Sequence, residues 1–276
     1  MTTQILLITS KLLGIVFVIL VARKIINDKR INRIWHTLET EPSYNSFTED
    51  MISGLPVPVQ RYFLHAIALG TPLANSVKLK MTGRLRRGKD KPWLPIQAKQ
   101  IISALKGFVW KATSSNRFLK LMGADYYAGG SGRTQFCLWG MIPVVNARGR
   151  DIDRSAIGRL VGESIWLPSA LLPQRGVSWQ AIDNNTIQAA ANVDGEAIIL
   201  TLFINSDGKV LKIYLPRWGN YTDDGSYKYI TFGGQCGEER TIAGFTIPCQ
   251  ISAGWWFDTE KYFNFFRVKI DAAEFC

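Results

Sequence analysis

The sequence predicts a mainly β, α+β fold: a large curved antiparallel sheet, or half-barrel, with N-terminal helices and a helical plug in mid-chain. Three observations predict it. Apolar and polar residues alternate with a period of two from Ser76 onward, turn signals separate the strands, and one helical pattern at 151–173 interrupts them. Spacings this short leave no room for crossover helices, so the sheet is antiparallel. Such a sheet must curl to protect its edges, and a two-layer sandwich is the alternative.

Each predicted strand has an apolar and a polar face. In the first strand, Val77, Leu79 and Met81 alternate with basic residues. Later, Asn-Asn at 184–185 and Asp-Gly at 194–195 and 207–208 are strong two-residue hairpin turns. Strands are expected from Ser76 and at about 92–102, 106–114, 117–122, 130–138, 177–183, 185–193, 196–204, 209–216, 227–236, 246–256 and 261–270.

Helical patterns occur at two places in the predicted β-rich domain. Ser46 and Glu49 have the spacing of a capping box, and an apolar face follows in a helix expected at about 56–69. The second helical region is expected at about 153–172, where Asp151 and Asp153 can cap its start. Leu167 precedes a proline and is biased to extended backbone, so this helix should break near residue 166 and restart at 168.

The N-terminus contains an apolar stretch of 18 residues, Ile5–Ala22. As a helix it spans roughly 27 Å, enough for a bilayer core. Lys11 opposes this reading, and a cleaved signal peptide is the rival, although no small-x-small cleavage site precedes the basic residues. We therefore divide the chain into a transmembrane helix (1–22), a basic juxtamembrane helix and linker (23–45) and a single β-rich domain (46–276).

The net charge of +11 favours an anionic partner. Five basic residues follow the apolar stretch directly, so membrane lipids are the expected partner and the main domain is expected in the cytoplasm. No sequence motif for nucleic-acid binding is present. The alternative to a cytoplasmic main domain is one on the extracytoplasmic side of the membrane. Apolar residues recur at helical spacing from Ile31 to Leu38, either along the membrane surface or packed on the domain. The five basic residues are Arg23, Lys24, Lys29, Arg30 and Arg33.

The four cysteines and two histidines do not form a recognisable metal or redox motif. Cys236 and Cys249 lie on neighbouring predicted strands and are more simply read as free buried thiols than as a disulfide. We expect no cofactor and no metal.

Several sequence motifs stand out: GLPVPVQRYF at 54–63, GFVW at 107–110, Gly-x-Gly at 130–132, Glu-x-x-Trp-Leu-Pro-x-Ala-Leu-Leu-Pro at 163–173, and Trp179. Together they resemble an uncharacterised bacterial family, a domain of unknown function that usually has one N-terminal membrane helix. The resemblance extends over the chain from about residue 50. The strand order with a mid-chain plug also resembles, more weakly, the half-barrel of periplasmic lipoprotein carriers of the lipoprotein-localisation-factor type, whose concave face holds acyl chains.

The mid-chain segment supplies the first candidate ligand-binding residues. A break at residue 166 can turn Trp166 into the concavity beside Leu171, where the two either gate an apolar pocket or fill the mouth of the sheet. Glu163 either forms a surface pair with Arg159 or turns inward and pairs with Arg148 or Arg217 to hold a polar head group. The full candidate set is Trp110, Arg148, Glu163, Trp166, Leu171, Arg217, Trp256 and Phe263.

These features lead to a functional hypothesis and two alternatives. The hypothesis is a membrane-anchored protein that binds a lipid or another apolar molecule in a curved β-sheet cavity. One alternative is an enzyme acting on a membrane-associated substrate, with Glu163, Asp125 or Tyr126 as its acid-base group. The other is a non-catalytic scaffold for a partner protein.

Overall fold

Thirteen antiparallel strands form one continuous sheet in the computed structural model, which describes residues 2–41, 43–115 and 119–276. The spatial order is β6-β5-β4-β3-β2-β1-β15-β14-β11-β10-β9-β8-β7, and β12 pairs with β13 in a separate ribbon. The strands are β1 (Ser76–Leu85), β2 (Leu94–Ser103), β3 (Gly107–Ser115), β4 (Lys120–Ala128), β5 (Ser131–Leu138), β6 (Ile142–Arg148), β7 (Ser178–Ala181), β8 (Thr186–Val193), β9 (Glu196–Ile204), β10 (Val210–Gly219), β11 (Lys228–Cys236), β12 (Glu239–Ile242), β13 (Phe245–Pro248), β14 (Gln250–Trp255) and β15 (Phe263–Phe275). The predicted fold class, a β-rich antiparallel half-barrel, is confirmed.

The sheet consists of two arms that meet in its centre. Strands β1 to β6 follow one another toward one edge of the sheet. Strands β14, β11, β10, β9, β8 and β7 follow one another toward the other edge. The C-terminal strand β15 pairs with β1 and joins the two arms. Helix α3 (Arg150–Glu163) contacts β4, β5 and β6 of one arm and β9 and β10 of the other. Because a single helix touches both arms, the sheet must curl around it. We call the face covered by α3 the inner face and the opposite face the outer face.

After α3 the chain continues in three short 3₁₀ turns, Ser164–Trp166, Pro168–Leu171 and Pro173–Arg175. The predicted break at residue 166 is observed, since Leu167 leaves the helical conformation (φ −134°, ψ 71°) and Pro168 begins the next turn. We call residues 164–175 the plug. From Ser164 to Leu172 every residue of the plug is buried, so this segment fills its end of the inner face.

The structure differs from the sequence predictions in four places. Strand β6 was not expected, because its residues 142–148 lie at the sheet edge and do not alternate in polarity. The strand expected at 117–122 is β4, Lys120–Ala128, and residues 116–118 lie outside the described part of the chain. The capping box does not form: Thr48 precedes a three-residue 3₁₀ turn, Glu49–Met51, without a side-chain cap hydrogen bond. The helix expected at 56–69 is α2, Val57–Ala66.

Helix α1 runs without interruption from Thr2 to Leu38. Its N-terminal part is long and apolar enough to cross a membrane, with a mean hydropathy of 2.7 over 18 residues and no burial in the protein, properties that a signal sequence shares. Its C-terminal part packs on the outer face, where Ile31 and Leu38 are buried against β2, β3 and β4. Of the two placements expected for this segment, packing on the domain is the one observed.

All four cysteines are free thiols. Cys236 and Cys249 are buried on either side of the β12–β13 ribbon, and burial raises the pKa of the Cys236 thiol to about 12. The reading of these residues as free buried thiols agrees with the structure.

Candidate functional site

Strand register decides which side chains reach the inner face. Gln100, Trp110, Asp125 and Thr134 face one another in sequence on β2, β3, β4 and β5, so they form one row across the sheet. Because successive strand residues point to opposite faces, their neighbours Ile101, Val109 and Tyr126 lie on the outer face, buried against α1. The row places a carboxylate, an amide, a hydroxyl and an indole together beneath α3.

Arg159 on α3 completes this row. Its Nη1 lies 2.6 Å from Oδ2 of Asp125, and its Nε lies 2.8 Å from Oε1 of Glu163, one helical turn further along. Gln100 donates to the second oxygen of Glu163 at 2.5 Å, and Thr134 donates to the second oxygen of Asp125 at 2.9 Å. Each carboxylate oxygen of the two acids therefore has a donor, and we call these five residues the polar cluster.

The polar cluster is largely shielded from water. The side chains of Arg159, Asp125 and Glu163 are 12%, 18% and 15% exposed, and the Arg159 guanidinium lies 4.7 Å from the ring centre of Phe108. Burial by itself lowers the pKa of Arg159, but the charges of Glu163 and Asp125 together raise it above its ordinary value. The expected pair of Arg159 and Glu163 thus forms, but it faces inward and includes Asp125.

Arg217 on β10 is a second cation at the inner face. Its Nε donates to the carbonyl oxygen of Ser155 at 2.9 Å, and its guanidinium lies 4.6 Å from the ring centre of Phe232 and 5.0 Å from that of Trp255. Burial, reinforced by the positive charge of Arg159, lowers its pKa to about 10, so it remains charged at neutral pH. Among the described residues it forms no ion pair, since Arg159 occupies both nearby carboxylates.

Gly158 permits this position of Arg217. A Cβ atom at residue 158 would lie 2.9 Å from Cγ of Arg217, so a larger residue would displace the arginine from α3. The close approach of α3 to β10 therefore requires a glycine at position 158.

Four aromatic residues of the inner face lie near the two arginines. Trp110 contacts Arg159 and Phe232 contacts Arg217. The ring of Trp110 is 6.1 Å from that of Phe136 and 6.0 Å from that of Phe266. Phe136, Phe266 and Phe232 are only half-buried, unlike the residues of the plug. We call Trp110, Phe136, Phe232 and Phe266 the aromatic strip.

Two buried polar atoms next to the strip have no partner in the described part of the chain: Nε1 of Trp110 and Oε1 of Gln100. An unsatisfied buried polar group costs about 1–3 kcal/mol. The two residues face each other in the register, so a donor and an acceptor are available at one position of the inner face.

The structure brings together three of the eight candidate ligand residues, Trp110, Glu163 and Arg217. Trp166 and Leu171 belong to the plug and are 2% and 0% exposed, and Trp166 donates to the carbonyl oxygen of Pro248 at 3.0 Å. They fill the inner face instead of lining an open cavity there. Arg148 is exposed at the end of the edge strand β6, and the polar partner of Glu163 is Arg159 instead.

Phe263 lies further along the inner face, and Trp256 packs beside it in the turn that follows β14. Phe263 belongs to an aromatic group with Tyr221 and Trp255, whose rings stack at 4.9 Å, and Trp256 donates to the carbonyl oxygen of Tyr221 at 2.6 Å. This group borders the aromatic strip through the contact of Phe232 with Trp255 at 5.0 Å.

Gln100, Phe136, Phe232 and Phe266 were not among the residues predicted from the sequence. Gln100 had a signal: it occupies an inward position of β2, in line with Ile96, Ala98 and Ile102, where an apolar residue is expected. The other three could be assigned to the inner face only once the register of β5, β11 and β15 was known.

Of the three acid-base residues considered from the sequence, Asp125 and Glu163 meet at Arg159, but Tyr126 does not join them. Asp125 and Tyr126 point to opposite faces, and both oxygens of Glu163 accept hydrogen bonds. Within residues 2–41, 43–115 and 119–276, no group of three His, Cys, Asp or Glu residues lies close enough to hold a metal ion.

Comparison with known proteins identifies a family. Residues 53–275 match the model of a family described as "Family of unknown function (DUF6920)". No curated protein matches the chain.

Two solved structures are similar in fold. One is a LolA superfamily protein from Nitrosomonas europaea, with 9% identity and a TM-score of 0.43, covering 79% of this chain and 92% of that one. The other is a DUF1329 family protein from Desulfovibrio piger, with 10% identity and a TM-score of 0.38, covering 73% of this chain and 86% of that one. The resemblance to an uncharacterised family is thus confirmed by the family match. Structural likenesses this distant carry no argument about function.

Proposed function

Because the chain belongs to the family of unknown function DUF6920, which brings no activity with it, we propose a function from the geometry: a membrane-anchored protein that binds an amphipathic anion, such as a fatty acid, on the inner face. The observation that carries this proposal is Arg217, a half-buried cation within an aromatic surface that has no carboxylate partner among the described residues.

The charge arrangement favours an anionic ligand group. Arg159 is held between two carboxylates and is not available to a ligand, whereas Arg217 has no carboxylate partner among the described residues. Aromatic rings attract a guanidinium but do not neutralise it. A carboxylate or phosphate can accept two parallel hydrogen bonds from the terminal nitrogens of Arg217, which donate to no described residue.

The aromatic strip provides for the apolar part of the ligand. Its half-buried rings give an apolar surface next to Arg217, and the chain of a fatty acid lying on them would be removed from water. The buried indole N–H of Trp110 and amide oxygen of Gln100 add polar contacts at the same place. The closed packing of the plug directs the ligand to the strip and away from Trp166.

The polar cluster has a positioning role in this proposal. Glu163 and Asp125 hold Arg159 across α3 and the sheet, and this keeps α3 at the distance from β10 that Arg217 requires. Every oxygen of these two carboxylates already accepts a hydrogen bond from the protein, so the geometry does not favour the acid-base alternative.

We expect Arg217→Gln to weaken binding of oleate about 10- to 100-fold, because it removes a charge-assisted hydrogen bond in a shielded site. Binding of oleyl alcohol, which lacks the charge, should change little. Native mass spectrometry of the full chain in nonionic detergent, at equal micellar fractions of each ligand, measures both.

Arg148→Gln is the matched control, since it removes the same charge from an exposed position at the end of β6. Its oleate binding should equal that of the unchanged protein. Equal oleate affinity in the Arg217 and Arg148 variants would refute the proposed site.

We also propose that the apolar part of α1 spans the membrane with the main domain in the cytoplasm. The support is the exposed apolar surface of the helix and the five basic residues after it. A green fluorescent protein fused after Cys276 should be fluorescent in a bacterial host, and alkaline phosphatase fused there should be inactive. Active phosphatase with a dark fluorescent fusion would place the domain on the opposite side.

A further inference from the structure

Three lysines on neighbouring strands lie directly opposite one another on the outer face. Lys80 on β1 faces Lys99 on β2, and Lys99 faces Lys111 on β3. Side chains paired in this way have Cβ atoms about 4.5–5.5 Å apart, and like charges directly opposite one another destabilise a sheet. A row of three lysines therefore has an electrostatic cost that a bound anion would offset.

The lysine row lies in a cleft of about 650 Å³ between α1 and the outer face. Lys24 and Asp28 of α1 line one side, and Lys120 on β4 also lines the cleft. Five lysines and two aspartates line the cleft, a net charge of +3. The cleft is separate from the inner face, because its side chains point away from the aromatic strip.

The aspartates do not neutralise the lysine row. Asp28 is paired with Lys24 at 2.5 Å, and the second aspartate, Asp271, accepts a hydrogen bond from Thr82 at 3.2 Å. Lys80, Lys99 and Lys120 form no ion pair within the described residues.

Lys111 is the most confined member of the row. Its Nζ donates to the side-chain oxygen of Asn32 at 2.6 Å and lies 4.5 Å from the ring centre of Trp35, both on α1. Burial lowers the pKa of Lys111, and the charge of Lys99 adds to this while Asp28 opposes it. The lysine is thus held in place by the helix without a paired carboxylate of its own.

The position of the cleft along α1 points to the source of the anion. Lys24 follows the end of the apolar stretch by two residues and Asp28 by six, which is roughly 3 and 9 Å of helix. A headgroup layer is about 5–7 Å thick on each side of a bilayer. If α1 spans the membrane as proposed above, the Lys24 end of the cleft lies at the level of the lipid phosphates. Lys111, beside Asn32, lies about 15 Å of helix beyond the apolar stretch, so a lipid bound to the row is drawn part of the way out of the bilayer.

We propose that this cleft binds the phosphate group of an anionic phospholipid, with the lysine row as its ligands and α1 as its cover. The site differs from the basic cluster of Arg23, Lys29, Arg30 and Arg33, whose side chains are exposed on other faces of α1 and do not line the cleft. Binding there joins the anchor helix to the sheet through a lipid.

Native mass spectrometry of the full chain in nonionic detergent, with dioleoyl phosphatidylglycerol or dioleoyl phosphatidylcholine, tests the site. We expect phosphatidylglycerol to bind in preference, and the double variant Lys99→Gln/Lys111→Gln to weaken that binding about ten-fold. The matched variant Lys89→Gln/Lys91→Gln also removes two charges, from the exposed loop between β1 and β2, and should change binding less than about two-fold. An equal loss in both double variants would mean diffuse attraction to the basic surface and would overturn the site.

Two further measurements distinguish the remaining outcomes. Inorganic phosphate at millimolar concentration should not displace phosphatidylglycerol, and displacement would assign the cleft to a soluble phosphate compound instead. Should Lys111→Gln perturb folding, Lys80→Gln/Lys99→Gln alters two exposed positions of the row and must show the same loss. Arg217→Gln should retain phosphatidylglycerol binding and the lysine variants should retain oleate binding, so the two proposed sites fail independently.

Discussion

Replacing Arg159 with methionine should lower the free energy of unfolding by about 3–5 kcal/mol, the largest effect expected from any single charge in this protein. The substitution leaves Asp125 and Glu163, 18% and 15% exposed, without the cation that compensates both. It also removes the contacts of the guanidinium with Phe108 and Trp110, at 4.7 and 5.1 Å. Urea unfolding of the full chain in nonionic detergent, followed by tryptophan fluorescence, measures the change.

Arg154→Met is the matched control on the same helix. Arg154 pairs with Glu196, but the two side chains are 26% and 24% exposed, so its loss should cost about 1 kcal/mol. Combining Arg159→Met with Asp125→Asn and Glu163→Gln should restore most of the stability, because neither acid then carries a charge that needs the arginine. If Arg159→Met and Arg154→Met destabilise the protein equally, the polar cluster is not the buried network described above.

The pairing of Arg159 with Glu163 shows what sequence spacing can and cannot predict. Residues four apart on a helix are neighbours, so the pair itself was foreseeable. Its burial was not, because Asp125 lies 34 positions earlier in the chain and reaches Arg159 only through the curl of the sheet. A pair expected at the surface thus became the centre of the inner face.

The same distinction holds for the strands. Period-two alternation predicts β1, β8 and β9 well, because each has one face in the core and one toward water. Strand β6 contains Ile142, Pro143, Val144 and Val145 in succession, and such an edge strand gives no alternation to detect. Arg217 could be named from the sequence, but its unpaired state depends on Arg159 occupying both carboxylates, which is a property of the fold.

The second large effect concerns the plug. We expect Trp166→Ala to lower the free energy of unfolding by about 3–5 kcal/mol, since the indole is 2% exposed and its removal leaves a large cavity among apolar neighbours. The carbonyl oxygen of Pro248 also loses its donor. Trp256→Ala, at a half-buried position, should cost about 1–2 kcal/mol in the same urea titration.

The plug variant also bears on where a ligand binds. If the plug only closes its end of the inner face, a core-filling Trp166→Phe substitution should be less destabilising than Trp166→Ala and should leave oleate binding unchanged, because Arg217 and the aromatic strip are separate from it. If instead Trp166 gates the ligand, as the sequence also allowed, Trp166→Phe should alter oleate binding in a protein that remains folded. If Trp166→Phe shifts the oleate affinity and Arg217→Gln has no effect on it, the ligand site lies at the plug and not at the strip.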